Sequence, residues 1–122
     1  MLRITTSAAV LAAVASVVAV SALSSGSSTI TLNGTVGPGY KITLTRGGKI
    51  VKTLPAGAVK LVIADKAAIH AFSLDGPHGY AKDFTTIRFT GTKTFFLKLK
   101  AGKYKYYCPN HESTMFAHFT VK

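Results

Sequence analysis

From residue 28 onward, the sequence is a succession of short runs in which apolar and polar residues alternate, with glycine or proline turns between them. The turns are GPG, GG, PAG, DGPHG, GT and AG, and the runs include YKITLTR, KIVKTL, AVKLVIADK, FTTIRFT and KTFFLKLK. Alternation with a period of two, in runs of this length, is typical of an all-β sandwich or barrel. No helical period extends over a useful window. We therefore predict an all-β domain of about eight strands.

Residues 1–22 have the composition of a secretory signal peptide. Arg3 supplies a short basic start, residues 8–23 form an apolar run rich in Ala and Val, and VSA at 20–22 offers a cleavage point. The apolar run is shorter than the roughly 20 residues of a membrane-spanning helix, which favours a cleaved signal over a retained anchor. A Ser/Gly-rich linker at 23–29 then leads into one domain, 30–122. We expect export to the periplasm or the outside of the cell.

The chain is strongly basic, with 15 Lys and Arg against 4 Asp and Glu and a formal net charge of +11. Of the charged residues only Arg3 precedes the predicted domain, so the domain itself carries +10. Such a charge favours anionic partners, here an acidic protein or an anionic envelope surface. We do not expect nucleic acid as a partner, because the chain is predicted to be exported and its lysines are scattered singly. For most lysines the simpler interpretation is a solvated surface.

Cys108 is the only cysteine, which excludes an internal disulfide and leaves a lone thiol in an exported protein. Successive residues of a strand face opposite sides. In the run KYKYYC, Tyr104 and Tyr106 share the side of Cys108, whereas Lys103 and Lys105 take the other. Because lysines face water, we predict that Cys108 points into the core.

His70 lies in a second informative run, IHAFSL. On a strand, Phe72 and Leu74 would share its side, while Ala71 and Ser73 would face the other way. We therefore predict that His70 is also inside, where an unpaired polar group is costly.

Cys108, His111 and Met115 follow the pattern C-x2-H-x3-M at the end of a predicted strand, and Pro109 stiffens the loop. Taken singly, a buried cysteine is often a small hydrophobe and a buried histidine a hydrogen-bonded core residue. Taken together, a thiolate, an imidazole and a thioether suit copper. Two histidines and a cysteine with a weak axial methionine form the blue-copper arrangement. The second histidine must come from elsewhere, and His70 has the required orientation.

Two segments, IHAFSLDGPHG and KYKYYCPNHESTMFAHFTV, carry a resemblance to a known family. Over essentially the whole mature region the chain resembles the cupredoxins, specifically the plastocyanin, amicyanin and halocyanin group of small exported blue copper proteins. The resemblance implies a Greek-key β-sandwich or barrel with one copper ion per chain, cycling between Cu(I) and Cu(II). The ligands it implies are His70, Cys108, His111 and Met115.

The sequence departs from the family pattern beside the first histidine. Ala71 stands where the family often has an asparagine that hydrogen-bonds to the ligand loop, so one interaction that orients a ligand is missing. Of the remaining histidines, we expect His78 to lie in solvent rather than cap the copper end, and His118 to lie on the surface. Tyr107 is expected to face outward, either as part of a docking surface or as an ordinary exposed tyrosine.

The resemblance implies a one-electron carrier outside the cytoplasm rather than an enzyme, and we expect a monomer. The exposed edge of His111, ringed by apolar residues such as Pro109 and Phe116, would pass the electron. Acidic redox proteins would dock near His111 through the lysines. The alternative is an extracytoplasmic copper storage or delivery protein that uses the same ligands.

Other functions fit the sequence less well. A Cys-His protease needs its nucleophile and base in the cleft of a larger scaffold. A multicopper oxidase needs many more histidines than the four present. Structural zinc prefers four harder nitrogen and sulfur ligands to a set that includes methionine. A β-domain with an inert Cys108 would leave the coincidence of four copper-type ligands unexplained.

Overall fold

The computed structural model describes residues 28–122, which form two facing sheets of five strands each. The strands are β1 (Ile30–Val36), β2 (Ile42–Arg46), β3 (Lys49–Ile50), β4 (Thr53–Leu54), β5 (Gly57–Asp65), β6 (Ser73–Asp75), β7 (Ala81–Asp83), β8 (Gly91–Leu99), β9 (Gly102–Tyr107) and β10 (Phe116–Val121). The order is β3-β2-β1-β5-β8 in the first sheet and β4-β10-β9-β6-β7 in the second. The predicted signal peptide and residues 23–27 of the predicted linker lie outside the described residues.

The all-β sandwich predicted from the alternation is confirmed, with ten strands rather than about eight. One added strand is β7, which lies outside the predicted runs, and another arises because the run KIVKTL crosses from one sheet to the other. Its first half, β3, pairs with β2, and its second half, β4, pairs in parallel with β10. Strand β1 pairs in parallel with β5, so both sheets are mixed. Between Ser28 and Lys122 no helix is long and apolar enough to cross a membrane.

The core fills the space between the inward faces of the two sheets, and its aromatic rings come mainly from the second sheet. Phe72 stacks on Tyr106 with ring centroids 5.7 Å apart, and Tyr104 stacks on Phe119 at 5.1 Å. Gly34 of β1 faces this layer, and a Cβ atom there would lie 2.9 Å from the Phe72 ring. The sheets are therefore packed too closely at this point for a side chain larger than hydrogen.

Two predicted strands differ from the structure. The run FTTIRFT (84–90) is a loop, and only Ser73–Asp75 of IHAFSL is a strand. Phe84 N–H donates to the Phe72 carbonyl, which adds one more bond in register with the β6–β7 pairing. The pairing ends there, because Phe72 N–H donates to the Thr85 hydroxyl instead of a backbone carbonyl. Arg88 has a φ of 80°, which is incompatible with an extended strand.

The strand directions give the sandwich two distinct ends. At one end, which we call the site end, lie the loops 37–41, 66–72, 84–90 and 108–115. At the other end lie the turns 47–48, 55–56, 76–80 and 100–101. Strand β1 starts at this second end, so the described chain enters the sandwich opposite the site end.

Candidate metal centre

Three of the four predicted ligands converge at the site end. His70 comes from the segment between β5 and β6, Cys108 follows the last residue of β9, and His111 closes the 3₁₀ turn Pro109–His111. One donor atom from each of these residues lies within 4.8 Å of the other two. The fold thus brings together residues 38 positions apart in the sequence.

The three donor atoms are spaced as a metal ion requires. The two Nδ1 atoms of His70 and His111 are 3.2 Å apart, and the Cys108 Sγ lies 3.8 Å and 3.7 Å from them. The point equidistant from the three atoms is about 2.1 Å from each of them. Bonds from protein nitrogen and sulfur to a metal such as zinc are about 2.0–2.3 Å long. The donor set therefore fits a single ion without rearrangement.

The predicted ligands differ in their access to solvent. His70 and Cys108 are completely buried and Met115 is nearly so, as predicted for the first two, whereas His111 is half-buried. Among the described residues, His70 Nε2 is buried and has no hydrogen-bond partner, so the polar contacts of this ring are those of Nδ1 with the other two donor residues. The axial role of Met115 remains a prediction.

The loop from Cys108 to Met115 is closed by its own backbone. Cys108 N–H donates to the Met115 carbonyl at 3.0 Å, and the Cys108 carbonyl accepts from His111 N–H at 3.0 Å. Met115 N–H donates to the His111 carbonyl at 2.8 Å. Pro109 occupies the first position of the 3₁₀ turn, where its missing N–H costs nothing. The spacing C-x2-H-x3-M is thus the spacing of one compact turn.

The segment that carries His70 is braced from outside by the loop 84–90. In addition to the bonds of Phe72 to this loop, Arg88 N–H donates to the Ala68 carbonyl at 2.6 Å. Within the segment, His70 N–H donates to the Ala67 carbonyl at 3.1 Å. The residues predicted as the strand FTTIRFT therefore hold the first histidine in place. Ala71 and Ser73 are buried as well as His70. Ala71 lines a shallow cavity with Thr85 and Ile87 of this loop, and the Ser73 hydroxyl donates to Asp83 of β7.

Asn110 links the two ligand segments directly, and sequence reasoning missed it. Its Nδ2 donates to the Ile69 carbonyl at 3.1 Å, joining the turn of His111 to the residue before His70. The asparagine that the family pattern places at position 71 is absent, and this bond runs in the opposite sense, from the loop to the histidine segment. The sequence gave no signal for this role of Asn110, because its partner is a backbone carbonyl 41 residues away.

Tyr40 is a second contributor that sequence reasoning missed. Its ring meets His70 and His111 edge-on, with centroid distances of 5.4 Å and 4.9 Å. Gly37 starts the same loop with a φ of 77°, and a Cβ atom there would lie 3.2 Å from His70 Cδ2. The turn GPG was predicted only as a break between strands, and Tyr40 as the first residue of the strand run YKITLTR. In the structure Gly37 and Tyr40 belong to one loop that packs against the two imidazoles.

The surface of the site end is apolar with a basic edge. Four of its exposed side chains are Tyr40, Ile69, Ile87 and Pro109, and Phe116 is exposed at the start of β10. Three exposed basic residues, Lys41, Lys66 and Arg88, lie in the same loops. One exposed acid, Glu112, belongs to the ligand loop and pairs with Lys105 at 2.8 Å.

Tyr107, immediately before Cys108, is half-buried rather than fully outward and has an unusually high pKa. Its hydroxyl donates to Asp75 Oδ1 at 3.1 Å. Burial raises the pKa of Tyr107 to about 12, and the hydrogen bond to Asp75 acts in the same direction. The negative charges of Asp83 and Glu112 raise this pKa further. The phenol beside the cysteine is therefore neutral at physiological pH.

The other histidines are exposed, as predicted. His78 lies in the turn 76–80 at the end opposite the site, so it does not cap the metal centre. His118 lies on β10 across from Lys105.

No protein-family model and no curated protein sequence matches this chain. Among solved structures it is similar to the copper protein rusticyanin, with 19% identity, a TM-score of 0.56 and 80% of each chain covered. Rusticyanin from Thiobacillus ferrooxidans gives 20% identity and a TM-score of 0.54, covering 80% of this chain and 79% of that one. The reduced form of rusticyanin gives a TM-score of 0.56 at 20% identity, covering 80% and 81%. The cupredoxin fold expected from the resemblance is confirmed.

Proposed function

We propose that this chain is an exported type 1 (blue) copper protein that carries single electrons between redox partners. The observation that carries the proposal is the convergence of two imidazole nitrogens and a buried thiol on one point about 2.1 Å from each. Copper bound there would supply one-electron chemistry between Cu(I) and Cu(II). Met115, buried in the same loop, is proposed as the weak axial ligand.

The protein's own residues would keep the site nearly the same in both oxidation states. The ligand loop is closed by backbone hydrogen bonds at both ends, and the His70 segment is braced by the loop 84–90. Buried ligands in such a frame have little room to move, so little reorganisation accompanies electron transfer. His111 is the one imidazole of the three-donor set with access to solvent, and its edge is the proposed exit for the electron.

The apolar surface around His111 suits a brief encounter with a redox partner. Short-lived redox complexes bury small interfaces, and steering charges raise their rate of formation. Lys41, Lys66 and Arg88 border this surface, which favours an acidic partner docking near His111. Such docking would weaken as salt is added, because exposed charges are screened.

Copper storage or delivery is the second candidate function. The half-exposed His111 favours it, because a ligand at the surface offers an incoming chelator a path to the metal. A delivery protein would lose copper readily to a competing thiol ligand. A carrier would retain copper and show a reversible redox couple.

The test is to remove metal from the exported protein, add one equivalent of Cu(II), and record visible and paramagnetic-resonance spectra. We expect an intense blue thiolate-to-copper band with one ion bound per chain. Cys108→Ser should abolish the band, whereas His78→Gln, the matched change of a histidine at the other end, should leave it intact. A colourless protein, or a band that survives Cys108→Ser, would refute the assignment. Voltammetry and transfer to a chelator would then separate carrier from storage protein.

A further inference from the structure

The end of the sandwich opposite the metal centre carries a cluster of exposed basic side chains, which we call the basic end. Its members are Arg46, Lys49, Lys52, Lys98, Lys100, Lys103 and Lys122. They come from distant parts of the sequence, which is why the lysines look scattered when read along the chain. The fold gathers at one end half of the fourteen basic residues found between Ser28 and Lys122.

The strand pairing holds several of these charges close together. Arg46 of β2 lies directly across from Lys49 of β3. On the other sheet, Lys103 pairs with Thr120, whose N–H donates to the Lys52 carbonyl at 3.0 Å. Like charges directly opposite each other on a sheet are destabilising. The cations of such a surface repel one another, and this repulsion is reduced when anions bind to it.

Acidic residues do not neutralise the basic end. Three of the four point toward other groups: the Asp75 carboxylate accepts from Tyr107, Asp83 accepts from Ser73, and Glu112 pairs with Lys105. Asp65 is buried at the site end. Within the described part of the chain, the Lys105–Glu112 contact is the sole ion pair, so the seven cations of the basic end have no partner there.

We propose that the basic end binds the anionic lipid headgroups of a membrane surface. Charge complementarity alone would also allow an acidic protein, but the position of the chain's entry favours a bilayer. Ser28 lies at this end, where it lines a shallow cavity with Arg46 and Pro55. While the predicted signal segment is still in the membrane during export, Ser28 places this end of the domain beside the bilayer, and residues 1–27 contain no acidic residue that would repel anionic lipid. Ile50, 48% exposed beside Lys49, adds an apolar contact at the same end.

This binding mode fixes the orientation of the domain. With the basic end on the lipid, the loops of the metal centre face away from the bilayer, and Tyr40 and His111 stay open to soluble partners. The surface and the proposed metal centre lie at opposite ends of the strands. Lipid binding therefore does not require copper and can be tested on the metal-free protein.

The first experiment uses the protein purified after export, with the N-terminus that processing in the cell has produced. It measures binding of this protein to phosphatidylcholine vesicles with and without phosphatidylglycerol. The ratio of the two affinities reports the electrostatic contribution, because any apolar anchoring contributes to both. Each lysine near an anionic surface is worth about fivefold in affinity at low salt. The triple variant Lys49→Gln, Lys100→Gln, Lys103→Gln should therefore lower the ratio about a hundredfold.

The matched control removes the same charge at or beside the site end, with Lys41→Gln, Lys66→Gln and Lys93→Gln, and should change the ratio only a few-fold. Lys93 lies near the start of β8, which follows the loop 84–90. Equal losses in the two triple variants would mean that net charge, not the basic end, drives binding. No preference for anionic vesicles, or binding to an acidic polypeptide in its place, would overturn the lipid proposal.

The second experiment reads orientation from the unaltered protein by acetylating its lysines and locating the modified residues by mass spectrometry. On anionic vesicles, Lys49 and Lys103 should become protected while Lys41 and Lys66 stay reactive. Protection of Lys41 and Lys66, or uniform reactivity, would overturn the proposed orientation.

Discussion

Asn110→Ala tests how this chain holds its two ligand segments together without an asparagine at position 71. The substitution removes the 3.1 Å bond from Asn110 Nδ2 to the Ile69 carbonyl and leaves the fold's core untouched. A hydrogen bond between uncharged groups contributes about 0.5–1.5 kcal/mol net, and an exposed one lies in the lower part of that range. We therefore expect the free energy of unfolding of the metal-free protein to fall by less than about 1 kcal/mol.

The effect on metal binding should be larger than the effect on stability. Groups that orient metal ligands are typically worth 10–100-fold in metal affinity. Asn110 contacts the backbone beside His70 rather than its imidazole, so we expect a loss at the lower limit, about tenfold. The assay is competition for copper with a chelator, together with amide hydrogen exchange in the metal-free loop. The amides of Cys108 and Met115, which close the loop, should exchange faster.

Two further variants make this prediction sharp. Ser113→Ala changes an exposed residue of the same loop and should leave affinity and exchange unchanged. Adding Ala71→Asn to Asn110→Ala restores the bond in the sense typical of the family, and affinity should recover in part. If Asn110→Ala binds copper as tightly as the parent and its loop amides exchange at the same rate, the bond does not position the ligands and the reasoning fails.

Three other substitutions give clear expected outcomes. Gly34→Ala should lower the free energy of unfolding by about 1–3 kcal/mol, measured by urea denaturation, because its Cβ would lie 2.9 Å from the Phe72 ring. Tyr107→Phe should remove the phenol that titrates near pH 12 from the alkaline absorbance curve. Folding raises the pKa of Tyr107 from 10, so the neutral phenol makes its full contribution to the free energy of unfolding below pH 10. This contribution is lost as the pH rises to about 12, and the Phe variant should not show that loss. Met115→Leu conserves volume and should cost less than about 1.5 kcal/mol of stability. In the copper-loaded protein it should retain the blue band and raise the reduction potential, because Cu(I) is stable with the three remaining ligands whereas Cu(II) prefers a fourth donor.

The alternation of side chains along β9 was enough to predict which of its residues are buried. Cys108 and Tyr106 are inside because they share one side of the strand, and Lys103 is exposed on the other. The same reasoning placed His70 correctly but for an incomplete reason, since His70 precedes β6 rather than lying in it. The His70 ring is covered by Gly37 and Tyr40 of the loop between β1 and β2, and its segment is held by the loop 84–90. The run FTTIRFT of that second loop alternates like a strand while its backbone turns at Arg88.

The contributions of Tyr40 and Asn110 could not be predicted, because each depends on contacts between segments far apart in the sequence. Tyr40 reaches the two imidazoles from the loop between β1 and β2. Asn110 bonds to a carbonyl, which every residue possesses, so no side-chain pattern marks its partner. Ligand residues carry recognisable chemistry in the sequence, whereas the residues that orient them act through geometry that only the fold supplies.

The position of the charges separates two interactions that net charge alone would confuse. A domain with a charge of +10 is attracted both to acidic proteins and to anionic lipid, and salt weakens both. If the two partners used one surface, lipid would compete with the redox partner. Here the cations of the site end and those of the basic end lie at opposite ends of the strands. Anionic vesicles should therefore leave electron transfer to a soluble acidic partner unhindered, and inhibition by vesicles would show that both partners meet at His111.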